Sequence, residues 1–269
     1  MNENNYKSFS GSDSNGYNPY SDNRNENTYG SNGYYTGGST GFNDFEEPYV
    51  DRTSFATTFA SANAVSLSFI YMAIALIISA VTALGVYSSG VVYSEGFFAV
   101  AKVTLFVEFF IILGANKALN KRNEALAAIL GISYAICTGF VCSVLFAVYD
   151  AGSIVFLFVV TAAMFAVIGI FAYTTKKDLT VLGVIGYMGL FAAIIVGIVM
   201  AFIGTDSALL SAVVLALFIG ITAYDIQKIK SLANSGVAVK TVALFGALTL
   251  YLDFVNIFLK LLALFGKRK

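Results

Sequence analysis

Histidine and tryptophan are both absent from this 269-residue sequence, and proline and cysteine occur only twice each. Without histidine, the chain lacks the commonest metal ligand and the side chain that ordinarily changes charge near neutral pH. Any response to pH must therefore come from carboxyl or lysine side chains. The cysteines, Cys137 and Cys142, both lie in one apolar run, and we interpret them as small apolar packing residues.

Charged residues are also scarce. They make up 12% of the sequence, against about 25% in soluble domains, whereas hydrophobic residues make up 58%. A soluble fold of this composition would lack the polar surface to cover itself, so the sequence requires a lipid bilayer as its solvent. Acidic and basic residues balance at sixteen each, which gives no indication of a nucleic-acid partner.

The first 54 residues differ from the rest. They are rich in Asn, Gly, Ser and Tyr, they hold both prolines, and they are nearly without aliphatic side chains. Such a segment cannot bury enough apolar surface to offset the entropy lost on ordering. We predict that residues 1–54 form a disordered cytoplasmic tail, and that this tail is not a signal peptide, because no apolar stretch follows its start.

Residues 55–269 are predicted to be an all-α membrane domain, a polytopic bundle of seven transmembrane helices. A helix needs about 20 apolar residues to cross a bilayer, and the runs lie at 67–87, 96–116, 125–147, 153–173, 180–203, 208–226 and 241–264. Short polar loops separate them, at 88–95, 117–124, 149–152, 174–178, 204–207 and 227–240. The runs do not alternate between apolar and polar residues, as the strands of a membrane β-barrel would.

Basic residues are confined to alternate loops. The even-numbered loops contain or adjoin Lys117, Lys121, Arg122, Lys176, Lys177, Lys228, Lys230 and Lys240, whereas the odd-numbered loops hold none. Because cytoplasmic loops are enriched in Lys and Arg, this pattern places the even loops and the N-terminus in the cytoplasm. Seven full spans would leave the basic residues 267–269 outside, and a re-entrant last segment would return them; we favour seven full spans.

Glycine recurs every third residue along the fifth span, at Gly183, Gly186 and Gly189. Small residues allow helices in lipid to approach closely. The pattern therefore predicts close packing of this span against a neighbour, and carries no functional information.

Ionisable residues within the spans are candidates for function, because a charge near the centre of a membrane helix costs about 2.5–3.5 kcal/mol on insertion scales. Glu108 lies in the middle of the second span. Asp253, Asn256 and Lys260 are spaced by three and four residues, which places them on one face of the last helix. This polar face should turn toward the bundle interior, and a central last helix is the expected result.

Asp225 lies near the end of the sixth span, beside Lys228. Taken alone, it is most simply a carboxylate at the membrane interface. If it meets Asp253, the two carboxyls cannot both ionise cheaply in a poorly solvated site, and they titrate as a unit. The pair would then be the best route to pH sensitivity in a chain without histidine.

Several segments carry a resemblance to a known family. TAYDIQKIK at 222–230 and LYLDFVNIFLKLL at 250–262 resemble the two C-terminal signature segments of the Bax inhibitor family of membrane proteins. Other similar segments precede them in order, at Tyr134 to Gly139, at Ser153-Ile154 and in TTKKDLTVLG at 174–183. The resemblance covers residues 55–266, without the N-terminal tail.

The resemblance implies a seven-helix fold around the C-terminal helix and a pH-sensitive calcium leak channel. The family's aspartate pair falls on Asp225 and Asp253, and its basic latch partner falls at the end of span two, where Lys117, Lys121 and Arg122 are the candidates. Glu108, Asn256 and Lys260 are further candidates for the latch or pore. Calcium is expected as the permeant ion, held transiently by the two aspartates, and no cofactor is expected.

Two other functions compete with the channel. The first is a membrane-embedded regulator that binds a membrane protease or stress-response partner without ion flux, as some bacterial members of the family do. The second is an enzyme or photoreceptor, which we disfavour because no Ser/His or metal-ligand constellation is present and no tryptophan would wall a chromophore pocket around Lys260. The expectation is a non-enzyme in a bacterial inner membrane.

Overall fold

The computed structural model describes residues 52–203 and 207–269, and these residues form seven α-helices. Their bounds are α1 Arg52–Ser88, α2 Phe97–Asn120, α3 Glu124–Val148, α4 Ala151–Thr174, α5 Thr180–Ile203, α6 Ala208–Asn234 and α7 Val239–Phe265. A single 3₁₀ turn, Val91–Tyr93, lies between α1 and α2. All seven helices are long and apolar enough to cross a membrane, so the predicted all-α, seven-span fold is confirmed. The tail predicted for residues 1–54 lies almost wholly outside the described residues, as does most of the fifth loop, at 204–207.

The helices extend further than their apolar runs. α1 begins at Arg52 rather than at residue 67, and α6 continues to Asn234, so the last interhelical loop is 235–238 instead of 227–240. Apolar runs mark only the part of a helix that lies in lipid, and good helix formers such as Gln and Lys continue it into water. Three helix starts are set by side-chain caps, in which Asn123, Asp150 and Ser207 each accept the backbone N–H three residues on.

The C-terminal helix α7 is the centre of the bundle, as the sequence predicts. It packs against α1, α6, α4, α3 and α2. Half of its membrane window is buried, the largest share of any of the seven helices. Its side chains therefore face protein on most sides, whereas α2 and α5, with the smallest buried share, present most of theirs outward.

Buried hydrogen bonds of Ser79 join α1 to α3 and to α7. The Ser79 hydroxyl lies 2.7 Å from the Ala135 carbonyl oxygen and 2.6 Å from the Tyr251 hydroxyl. If Ser79 donates to the carbonyl, it accepts from Tyr251, which satisfies all three groups. The helices are close here, because a Cβ added to Gly139 of α3 would lie 2.5 Å from the Ser79 backbone oxygen.

The C-terminal residues form a short strap across the α3–α4 turn. The Asp150 N–H donates to the Lys267 carbonyl oxygen (2.9 Å), and the Lys269 N–H donates to the Val148 carbonyl oxygen (2.9 Å). The Lys269 ammonium donates to the Phe146 carbonyl oxygen at 2.7 Å. α7 is one continuous helix rather than a re-entrant segment, so the basic C-terminal residues lie at the end of the bundle that carries the odd-numbered loops.

Candidate functional site

The structure brings Asp225 of α6 and Asp253 of α7 together as neighbouring carboxyls. We refer to them as the carboxyl pair. Asp225 is 1% exposed and Asp253 is 4% exposed. Asp225 is thus not the interfacial carboxylate that its position in the sequence suggests, because α6 continues for nine further residues and α7 covers it.

One oxygen of the pair has no donor. Asp253 Oδ2 is buried without a hydrogen-bond partner among the described residues. The neighbouring Thr222 hydroxyl donates instead to the Phe218 carbonyl oxygen, at 2.7 Å. A buried polar oxygen without a partner is costly, and a proton held between two adjacent carboxyls would remove that cost. The arrangement is chemically suited to bind and release one proton.

A third residue, Tyr187 of α5, contacts the pair and was missed from the sequence. Its hydroxyl lies 3.0 Å from each carboxylate oxygen of Asp225, so that one O–H is shared between both acceptors. Its ring also meets Tyr224 edge-on, with centroids 6.3 Å apart. A signal was present, since a tyrosine in the middle of an apolar span needs a partner for its hydroxyl.

The glycine pattern of α5 explains how Tyr187 reaches Asp225. Cβ atoms built on the three glycines would collide with α6: at Gly183 with the Tyr224 ring (2.5 Å), at Gly186 with Ile221 (2.5 Å), and at Gly189 with Leu217 (2.8 Å). α5 therefore lies directly against α6 over two turns. The predicted packing role of these glycines is confirmed, and it positions a residue of the site.

The segment at 222–230 also fixes the α4–α5 loop. The Gln227 side chain accepts from the Leu179 N–H and donates to the Lys177 carbonyl oxygen, both at 2.8 Å. Lys230 donates to the Tyr173 carbonyl oxygen at the end of α4 and lies over the Tyr173 ring. Residues flanking Asp225 thus join three elements at the end of the bundle that carries the even-numbered loops, which we call the basic end.

Glu108 lies apart from the pair. It is buried at 7% exposure beside Thr138 and Tyr134 of α3, and its Oε1 has no hydrogen-bond partner among the described residues. It lines a crevice of about 750 Å³ that α2 forms with α5, α6 and α7. Asn256 and Lys260 line the same crevice, so the predicted polar face of α7 is divided between the buried pair and this crevice.

The three basic latch candidates do not meet the pair. Lys117 lies in the last turn of α2, and Lys121 and Arg122 form the α2–α3 turn; all three are exposed. Arg122 has a left-handed backbone (φ 55°), at a turn position where glycine is usual. The basic residue close to Asp225 is Lys228, one turn further along α6, whose ammonium lies 5.3 Å from the Phe245 ring centroid.

Within the described residues, no group of three or more acidic, cysteine or histidine side chains is placed to hold a metal ion. The carboxyl pair supplies four carboxylate oxygens, fewer than the six to eight oxygens that calcium commonly takes.

The fold and the site define a class: an integral membrane protein of seven helices with a buried carboxyl pair against its central helix. The family model for "Inhibitor of apoptosis-promoting Bax1" matches residues 62–269, and the chain belongs to this Bax inhibitor family.

Bacterial relatives share most of this region. An uncharacterised protein of Borreliella burgdorferi is 35% identical over 208 residues, which cover 74% of this chain and 89% of that protein. The "Inner membrane protein YbhL" of Escherichia coli K12 is 34% identical over 169 residues, 59% of this chain and 71% of that protein. The uncharacterised protein RP147 of Rickettsia prowazekii is 32% identical over 208 residues, 74% of this chain and 87% of that protein.

Proposed function

We propose that this protein is a pH-sensitive calcium leak channel in which protonation of the Asp225–Asp253 pair controls conduction. The observation that carries the proposal is the pair itself: two adjacent buried carboxyls, one with an unpartnered oxygen, between α6 and the central helix. Two negative charges in that site repel each other strongly, because burial lowers the effective dielectric. Loss of the shared proton would therefore separate α6 from α7 unless a cation offsets the charge.

The crevice beside α7 suits the permeation path in this proposal. It places the Glu108 carboxyl and the Asn256 amide in one space within the membrane-spanning part of the bundle. Both groups offer oxygen ligands to a hard cation such as calcium. Calcium here is the transported ion rather than a resident cofactor, and the protein is proposed to be a non-enzyme.

The proposed location is a bacterial inner membrane with the N-terminus in the cytoplasm. The name of the E. coli relative supports the membrane, and the basic residues of the even-numbered loops support the orientation.

Calcium flux into liposomes that contain the purified chain tests the proposal. We expect a leak that changes with pH in the wild type, and a flattened pH profile in Asp225→Asn and in Asp253→Asn, because asparagine keeps the shape but cannot bind the proton. Glu95→Gln is the control, since it removes an exposed carboxyl far from the pair and should keep the wild-type profile.

Two results would count against the channel. If both asparagine variants keep the wild-type pH dependence, the pair is not the sensor. If the purified wild type gives no calcium leak above empty liposomes, the channel proposal fails and a regulator that binds a membrane partner without flux takes its place.

A further inference from the structure

A second polar cavity lies at the basic end, outside the carboxyl pair. It has a volume of about 400 Å³ and opens between the α4–α5 loop and α6. Lys176 and Lys177 line it from the loop and Lys228 lines it from α6, with Asp178 as its acidic residue. We call it the lysine pocket. Three cations against one anion leave it with a net charge of two positive.

The positive charge of the pocket is not balanced by ion pairs with other described residues. Among the described residues, none of the three lysines forms an ion pair, whereas Lys240 at the same end is paired with Glu124 at 3.5 Å. The Thr180 hydroxyl, together with the Thr180 N–H that Asp178 accepts at 2.8 Å, holds the pKa of the Asp178 carboxyl below its usual range. That carboxylate therefore caps the start of α5.

The pocket is also preorganised. Gln227 holds the loop backbone at Lys177 and Leu179 through its two hydrogen bonds, so the backbone that carries the loop lysines is fixed relative to α6. The neighbouring Lys230 donates to the Tyr173 carbonyl oxygen and lies over the Tyr173 ring. The ammonium groups of the three pocket lysines donate no hydrogen bond to a described residue, and that of Lys228 lies 5.3 Å from the Phe245 ring centroid. A preformed site loses less entropy when a ligand binds.

We propose that the lysine pocket binds a phosphate group, and that its natural source is the headgroup of an anionic phospholipid. Basic pockets between transmembrane helices at the cytoplasmic side suit such headgroups. The pocket lies where the loops meet the ends of the membrane helices, and its polar lining residues Gln227, Ser231 and Thr180 add hydrogen-bonding groups. This site is independent of the proposed calcium flux.

Binding is tested with the purified full chain in detergent, titrated with dioctanoyl phosphatidylglycerol and followed by native mass spectrometry. The pocket variant replaces Lys176, Lys177 and Lys228 with Gln; the control variant replaces Lys117, Lys121 and Lys240, three lysines of the same end outside the pocket. Each lysine contributes about fivefold to attraction of an anionic headgroup, so we expect about 100-fold weaker binding for the pocket variant. The control should change far less.

Further measurements distinguish loss of charge from loss of folding, and a lipid headgroup from free phosphate. A variant with Arg at the three pocket positions should bind within a few-fold of wild type, which shows that charge rather than folding is tested. Inorganic phosphate that displaces the lipid at equal concentration would identify free phosphate as the occupant of the same site. Equal losses in the pocket and control variants, or equal binding of dioctanoyl phosphatidylcholine, would overturn the proposal. Asp225→Asn should bind the lipid as wild type does, whatever its effect on calcium flux.

Discussion

Tyr187 shows how much the site depends on a residue with no charge. It is half-exposed on α5, yet its hydroxyl donates to both oxygens of the buried Asp225. Asp225 thereby has a donor, whereas the buried Oδ2 of Asp253 has none among the described residues. The two carboxyls therefore differ in their hydrogen bonding.

Replacement of Tyr187 by Phe should destabilise the protein. The change keeps the ring and removes the donor, and a hydrogen bond to a charged group contributes about 1.5–3 kcal/mol. We expect a lower midpoint in SDS or thermal unfolding of the purified protein. Tyr224→Phe is the matched control, because the Tyr224 hydroxyl makes no hydrogen bond to a described residue and its ring contact with Tyr187 would remain. Equal stability of the two variants would show that the Tyr187 hydrogen bond contributes nothing.

At the scale of helices, close approach is set by individual glycines rather than by apolar content. Gly139 allows α3 to touch the backbone of α1 at Ser79, next to the buried hydrogen bonds of Tyr251. Gly131, two turns earlier on the same helix, has open space around a built Cβ. Both glycines lie in the same apolar run of α3. They differ in the atoms that pack against them, which are those of α1 at Gly139 and none within 4 Å at Gly131.

This contrast predicts opposite effects of one substitution. Gly139→Ala should lower the stability of the folded protein by about 1–3 kcal/mol, because the added methyl overpacks a contact with backbone atoms. Gly131→Ala should leave stability unchanged or raise it, since alanine favours the helix. Unfolding midpoints of both variants in SDS or on heating provide the measurement. A Gly139→Ala protein as stable as wild type would show that α1 and α3 can separate without cost.

The helices and the carboxyl pair were predicted from different features of the sequence. Continuous apolar runs separated by polar loops are sufficient to locate seven spans, and the spacing of Asp253, Asn256 and Lys260 is sufficient to place them on one helical face. The meeting of Asp225 with Asp253 came from the family resemblance. The contact with Tyr187 and the separation of Glu108 from the pair depend on how helices pack side by side, which spacing along one chain does not contain.

For the whole molecule, the even-numbered loops and the C-terminus lie at opposite ends of the bundle. The strap joins residues 267–269 to the α3–α4 turn, whereas Lys121 and Ser235 lie in turns at the basic end. The basic C-terminal residues therefore lie at the end of the bundle whose loops contain no Lys or Arg, contrary to the distribution of basic residues among the loops. Their positive charge is partly engaged, because Lys269 binds the Phe146 carbonyl oxygen and lies 5.3 Å from the Tyr87 ring centroid.

Labelling of single cysteines in cells tests this arrangement. In a chain with Cys137 and Cys142 replaced by Ser, we expect Lys121→Cys and Ser235→Cys to be protected from an impermeant thiol reagent. Glu95→Cys and Arg268→Cys should react, because they lie at the other end. Protection of Arg268→Cys together with Lys121→Cys would contradict the position of the strap, and reaction of all four would indicate a leaky membrane rather than a topology.

The central position of α7 has a consequence for how the protein is made. The helix that fills the middle of the bundle is the last of the seven to leave the ribosome. Until it arrives, the six earlier helices stand in the bilayer as an open set, Asp225 has no partner carboxylate, and the Ser79 hydroxyl lacks Tyr251. Insertion of α7 therefore completes the core and the acid pair in one step.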